Sequence, residues 1–112
     1  MPPAETPAPD QAHNPARGEA VIRIAGQALL LRPSFAALVA AEQELGPLFA
    51  LVDRAASGGL ALTEMVTLFW HCLADRPEAL TRAAFGDGVA AAGLVKATPV
   101  LRTLLTQILS GR

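Results

Sequence analysis

A two-residue alternation of side chains suits only one stretch of this chain, GEAVIRIAGQALLLRP at positions 18–33. That period sends successive side chains to opposite faces of a strand, so the stretch predicts a β-hairpin. A turn at Ala25-Gly26 sets Ile22 opposite Leu29 and Ala20 opposite Leu31 on one face. The other face carries Val21 beside Leu30, and Glu19 beside Arg32 as an opposite-charge pair. Pro33 has no N–H for a ladder and closes the second strand.

Beyond Pro33 the apolar positions recur at helical spacing. Ser34 predicts an N-cap for a helix through Leu45, stopped by Gly46, with Phe35, Leu38, Val39 and Leu45 on one face and Glu42 among them. Pro47 suits the first turn of a second helix carrying Leu48, Leu51, Val52 and Ala55, which Ser57-Gly58-Gly59 breaks. Thr63 is the expected cap of a third, EMVTLFWHCLAD, with a core stripe of Val66, Phe69, Trp70 and Leu73. Glu64, Thr67, His71 and Asp75 then fall on its other side. Pro77 opens a short fourth helix stopping near Gly86, a brief alanine helix follows Asp87 to Gly93, and Thr98-Pro99 starts the last. There Leu101, Leu104, Leu105 and Ile108 form the cleanest amphipathic stripe. The pattern predicts a mostly α, α+β domain over residues 18–112: an N-terminal hairpin packed on a bundle of about five short helices. Its expected core is Leu38, Val52, Phe69, Trp70, Leu104 and Ile108.

Composition changes this picture at the N-terminus. The opening MPPAETPAPDQAHNPAR, residues 1–17, is rich in Pro, Ala and polar residues with no periodic apolar face. Burial cannot offset the entropy of ordering it, so it reads as a disordered tail. It also lacks the charged and apolar regions of a secretory signal. The remaining domain buries only roughly two-thirds of its unfolded surface, enough for a modest core. Hydrophobic residues make up 52% of the chain and charged ones 17%, and much of that apolar share is alanine, which favours closely packed helices. A net charge of −1 gives no basic surface for nucleic acid or an anionic membrane. Glu64 and His71 interrupt the best candidate for a membrane span. The lone Cys72 forms no intrachain disulfide and points to a reducing compartment, so a cytoplasmic protein is expected.

Candidate chemistry is sparse. His71 and Cys72 are adjacent, and helix neighbours point about 100° apart, so they do not converge on a metal ion or form a nucleophile–base pair. His71 is expected to be solvated on the polar face and Cys72 to be a small buried hydrophobe. Glu42 and Glu44 sit at i,i+2 and face apart, which argues against a carboxylate pair. Glu42 alone, on an apolar face, is costly unless it reaches the rim, accepts hydrogen bonds from a loop, or recognises a partner. The SGG and GDG glycines lack the lysine or strand-to-helix setting of a phosphate cradle and read as helix stops. No catalytic, cofactor or metal residue is assigned, and no enzyme is expected.

Taken in order, RGEAVIRIAGQALLLRPSFAALVAAEQELG, GLALTEMVTLFWHCL and GLVKATPVLRTLLTQIL resemble the tail assembly chaperone family of gene transfer agents and related siphophages. The resemblance rests on the Arg-Gly-Glu strand and turn glycine, then Leu38, Glu42 and Gly46 of the first helix. It continues through the Gly59, Leu60, Leu62, Thr63 entry to the third helix, and Gly93-Leu94 before the last. It covers residues 17–109. The resemblance implies a non-enzymatic factor of the bacterial host cytoplasm. Such a factor binds the tape measure protein and keeps its apolar helices soluble while the tail tube polymerises, with the tube protein as a second candidate partner. A two-stranded hairpin is marginal alone, so an open edge and the Val21/Leu30 patch are expected to meet a partner strand or a second copy, with Glu42 a further partner-binding candidate. Failing the hairpin, Leu68 and Val100 are the next surface positions. Two other readings compete. One is a small helical adaptor or regulatory subunit without phage connection. The other is a helix-turn-helix DNA binder, disfavoured because the last helix offers only Arg102 and Arg112 as cations.

Overall fold

The computed structural model describes residues 19–110, so the expected tail over 1–17 lies outside the described residues. Strands β1 (Ala20–Ile24) and β2 (Gln27–Leu31) form the hairpin, followed by helices α1 (Phe35–Leu45), α2 (Leu48–Ala56), α3 (Leu62–Cys72), α4 (Arg82–Ala92) and α5 (Leu94–Ser110). The predicted class holds.

The hairpin register is the expected one, with Ala20 opposite Leu31, Val21 opposite Leu30 and Ile22 opposite Leu29. Ala25 (φ 53°) and Gly26 (φ 77°) are both left-handed, as a tight two-residue hairpin turn requires. Ala20, Ile22, Ile24, Leu29 and Leu31 are buried, and β1 packs on α4 and α5. Arg32 reaches Glu19 at 2.8 Å, and the Glu19 side chain is only 2% exposed.

One hairpin edge is not open. The Arg32 N–H donates to the Cys72 carbonyl (2.7 Å) and the Ala74 N–H to the Leu30 carbonyl (2.9 Å), with Leu31 bridged to Leu73. Residues 72–74 thus act as a minimal third strand along β2. This also explains why α3 ends at Cys72 and not at Asp75: its last carbonyl is diverted into the sheet.

Ser34 caps α1 by accepting the Ala37 N–H at 3.2 Å, as expected. The buried face of α1 differs from prediction. Phe35 is 85% exposed and Val39 is exposed, while Ala41 is fully buried and Ala37, Leu38 and Leu45 line the core. The small Ala41 is fully buried where α1 packs on α3, while Phe35 and Val39 turn outward.

Helix α3 begins one residue before the predicted cap. Ala61 holds the N-cap position, and the Glu64 carboxylate accepts its N–H at 2.9 Å, so Thr63 lies inside the helix. Pro77 does not open a helix; Thr81 caps α4 by accepting the Ala84 N–H at 3.1 Å. Gly86 and Gly88, expected as stops, are interior to α4. A Cβ on Gly88 would lie 2.2 Å from Ile24 Cγ2, so this glycine is the notch that seats β1 against the helix. Helix α5 begins after Gly93, and its Thr98 hydroxyl donates back to the Leu94 carbonyl at 2.7 Å instead of capping. Pro99 is therefore within the helix.

The fully buried centre is Leu31, Leu51, Leu68, Phe69, Phe85, Val89 and Leu104. Phe69 and Leu104 are as expected; Leu38, Trp70 and Ile108 are partly buried around them. Trp70 lies 5.9 Å from the Phe85 ring centroid, with the Arg76 guanidinium 3.9 Å over its own ring. Leu68 is core, which removes it as a surface candidate.

Candidate functional site

The predicted partner residues fall in three places. Val21 is half-buried and lines a groove between β1 and helices α4 and α5, together with Val89, Ala92, Lys96 and Val100. Leu30 is half-buried on β2, whose edge is covered by residues 72–74. Glu42 is exposed near the end of α1, and its carboxylate accepts the Leu48 N–H at 3.0 Å. That bond satisfies a free N–H at the start of α2, where Pro47 has no capping side chain. The structure does not gather Val21, Leu30 and Glu42 into one site.

It does gather residues that the sequence left apart. Glu44 on α1 meets His71 on α3, and Arg82 on α4 binds both its carboxylate oxygens at 2.8 and 2.9 Å. His71, expected to be solvated, is mostly covered by this contact. The Arg82 hydrogen bond, and then that of His71, hold the Glu44 carboxyl below its ordinary 4.5. Glu64 is lowered likewise, by the Ala61 N–H and then by Arg54, which pairs with it at 2.5 Å. Burial pushes the Cys72 thiol up to about 12, so its thiolate is not accessible as a nucleophile near neutral pH. Among the described residues no group of three His, Cys, Asp or Glu is placed to hold a metal ion. No single helix among them is long and apolar enough to cross a membrane.

The larger feature is an apolar cleft along α5. One part, about 400 Å³, lies between Val52, Ala55 and Ala56 of α2 and Leu101, Leu105 and Leu109 of α5. A second, about 230 Å³, continues it past Leu60 and Leu62 to Leu94. The two share Ala55, Thr98 and Leu101, so they form one groove running the length of the helix. Leu62, Leu94 and Leu109 along it are exposed, as are Phe35 and Phe49 (81%) elsewhere. Sequence reasoning missed this surface because it read Leu101, Leu104, Leu105 and Ile108 as one amphipathic stripe. The stripe on α5 is wider than one buried face: Ala97 and Leu104 take the core side, while Leu94, Thr98, Leu101, Leu105 and Leu109 follow the groove. Its signal in sequence is that excess width. Val52, expected in the core, is a groove wall.

A scan against protein-family models matches residues 17–111 to the family described as phage tail tube protein, GTA-gp10. No curated protein and no solved structure matches.

Proposed function

Because the chain belongs to the phage tail tube protein, GTA-gp10 family, we propose that it is a non-enzymatic tail assembly chaperone of a phage or gene transfer agent. In this reading it binds the tape measure protein in the host cytoplasm and keeps that protein's apolar helical segments soluble until the tube forms around them. Membership in a tail family removes the adaptor with no phage connection as a competing reading.

The observation that carries the proposal is the amount of apolar surface this small domain leaves uncovered in ordered elements. Phe35, Phe49, Leu62, Leu94, Val95 and Leu109 are all exposed, and an open groove runs beside the last helix. Surface of this kind marks a protein that meets others, and a helix-lined groove suits an amphipathic helix. The titratable groups described above are engaged in holding helices together, as Glu44 does between α1, α3 and α4.

The family's own description favours one other reading, a subunit of the tube itself. The two differ in what happens after assembly. A chaperone is released, whereas a tube subunit stays in many copies. Quantitative mass spectrometry of purified particles should find the chain absent or at trace level beside the major tail proteins. Stoichiometric retention would reject the chaperone and favour the tube subunit.

A further inference from the structure

We propose that the groove between α2 and α5 is the seat of one amphipathic helix of a partner protein, apolar along one stripe and acidic along the flank that meets Arg102. This rests on the reading above that the chain holds an apolar helical partner, and adds where it is held and by what chemistry.

Three observations point to a helix. The groove is walled by α2 and α5, with residues 58–61 and the start of α3 at one end, and contains no strand backbone, which leaves nothing for an added strand to pair with. It follows α5 from Leu94 to Leu109, about 22 Å or four helical turns. Its α2 wall is built of small residues, Ala55 and Ala56, so a third helix can come close while its apolar side chains enter between Leu101 and Leu105.

Charge supplies the partner's flanks. The groove lining holds one charged residue, Arg102, and no carboxylate. Helix α5 carries Lys96 and Arg102 and no acidic residue along its length. The chain as a whole has net charge −1, so this helix is locally opposite to the rest. Elsewhere among the described residues, Arg32, Arg54 and Arg82 are each paired with a glutamate, and Arg76 sits over Trp70. Arg102 forms no such pair among the described residues, while Lys96 lines the other groove, beside β1. A partner with glutamate or aspartate beside its apolar stripe would pair with Arg102, while a basic helix would be repelled there.

The test uses the full chain and two labelled synthetic helical peptides of about 18 residues, with the same leucine stripe but glutamate flanks in one and lysine flanks in the other. Fluorescence anisotropy should show the glutamate peptide binding at least about tenfold more tightly. The exposed change Arg102→Glu should reverse that preference, and Ala55→Arg, which fills the groove, should abolish binding of both peptides while circular dichroism shows an intact fold. The proposal is overturned if neither peptide binds up to about 1 mM, if both bind equally, or if a folded Ala55→Arg protein still binds. It is equally overturned if light scattering finds a dimer that Ala55→Arg dissolves, since a second copy would then fill the groove. Co-expression separates this claim from the wider one. A tape measure kept soluble by the parent and equally by Ala55→Arg sinks the groove alone. Peptide binding that behaves as expected beside an insoluble tape measure sinks the chaperone reading alone.

Discussion

At Gly88 an added Cβ would stand 2.2 Å from Ile24 Cγ2, and at Gly86 it would stand an ordinary 3.5 Å from Val66 Cγ1. Both glycines lie inside α4, where each costs roughly 1 kcal/mol relative to alanine. Only Gly88 returns that cost, by letting the hairpin touch the helix. Gly86→Ala should therefore stabilise the domain by up to about 1 kcal/mol. Gly88→Ala should destabilise it, because overpacking of this kind costs about 1–3 kcal/mol against the smaller gain in helix propensity. Adding Ile24→Ala should recover part of that loss, a coupling that a double-mutant cycle in urea measures. Equal effects at both glycines would remove the notch. The aromatic residues divide in the same way. Phe85, fully buried, should cost about 3–5 kcal/mol as alanine, whereas Phe35→Ala should stay within about 0.5 kcal/mol. Read in sequence, Gly86-Asp87-Gly88 looks like a helix stop and Phe35 joins the apolar face of its helix, because local rules count residue types and not what faces them. The hairpin register, by contrast, was fully legible. Pairing, turn and the Glu19–Arg32 bridge all follow from one alternation over neighbouring residues.

At the scale of elements, short helices are held at their ends and joined by charges far apart in sequence. Glu42 satisfies the first N–H of α2, Glu64 that of the α3 cap, and Glu44 ties α1 to α3 and α4. Accepting hydrogen bonds from a loop was one of the roles open to Glu42, beside reaching the rim and recognising a partner, and its bond from the Leu48 N–H is of that kind. The Glu44–His71–Arg82 contact was not foreseeable, because nothing local relates residues on three separate helices. It has a pH signature. The Glu44 carboxyl is depressed by Arg82 and then by His71, so its contribution to stability is complete above its ordinary value of 4.5 and is lost as pH falls through the lower value of the folded state. Glu64 acts in the same direction. Acid destabilisation should therefore set in below about pH 4.5, and Glu44→Gln should lower the melting temperature near neutrality while shrinking the acid-dependent loss. A Glu44→Gln melting profile parallel to the parent at every pH would remove Glu44 from the tether. The end of α3 was misjudged because a tertiary contact sets it, where the hairpin takes its carbonyl, and α5 starts at Leu94, ahead of the expected Thr98-Pro99.

For the whole molecule, the hairpin is not a free edge awaiting a strand along β2, because residues 72–74 already cover that side. It serves chiefly as a lid on α4 and α5, and the broad apolar surface lies beyond it, between α2 and α5. That surface was illegible in sequence because it exists only once two helices distant in the chain are set side by side. Family membership and an uncovered groove are the two observations on which the proposed chaperone role rests. The most direct measurement is the soluble fraction of the tape measure protein from the same gene cluster, expressed with and without this chain. The account predicts that the tape measure moves from the pellet into a soluble complex that co-purifies with the chain. A tape measure that stays in the pellet beside a folded, soluble chain, or that is equally soluble without it, would contradict the account.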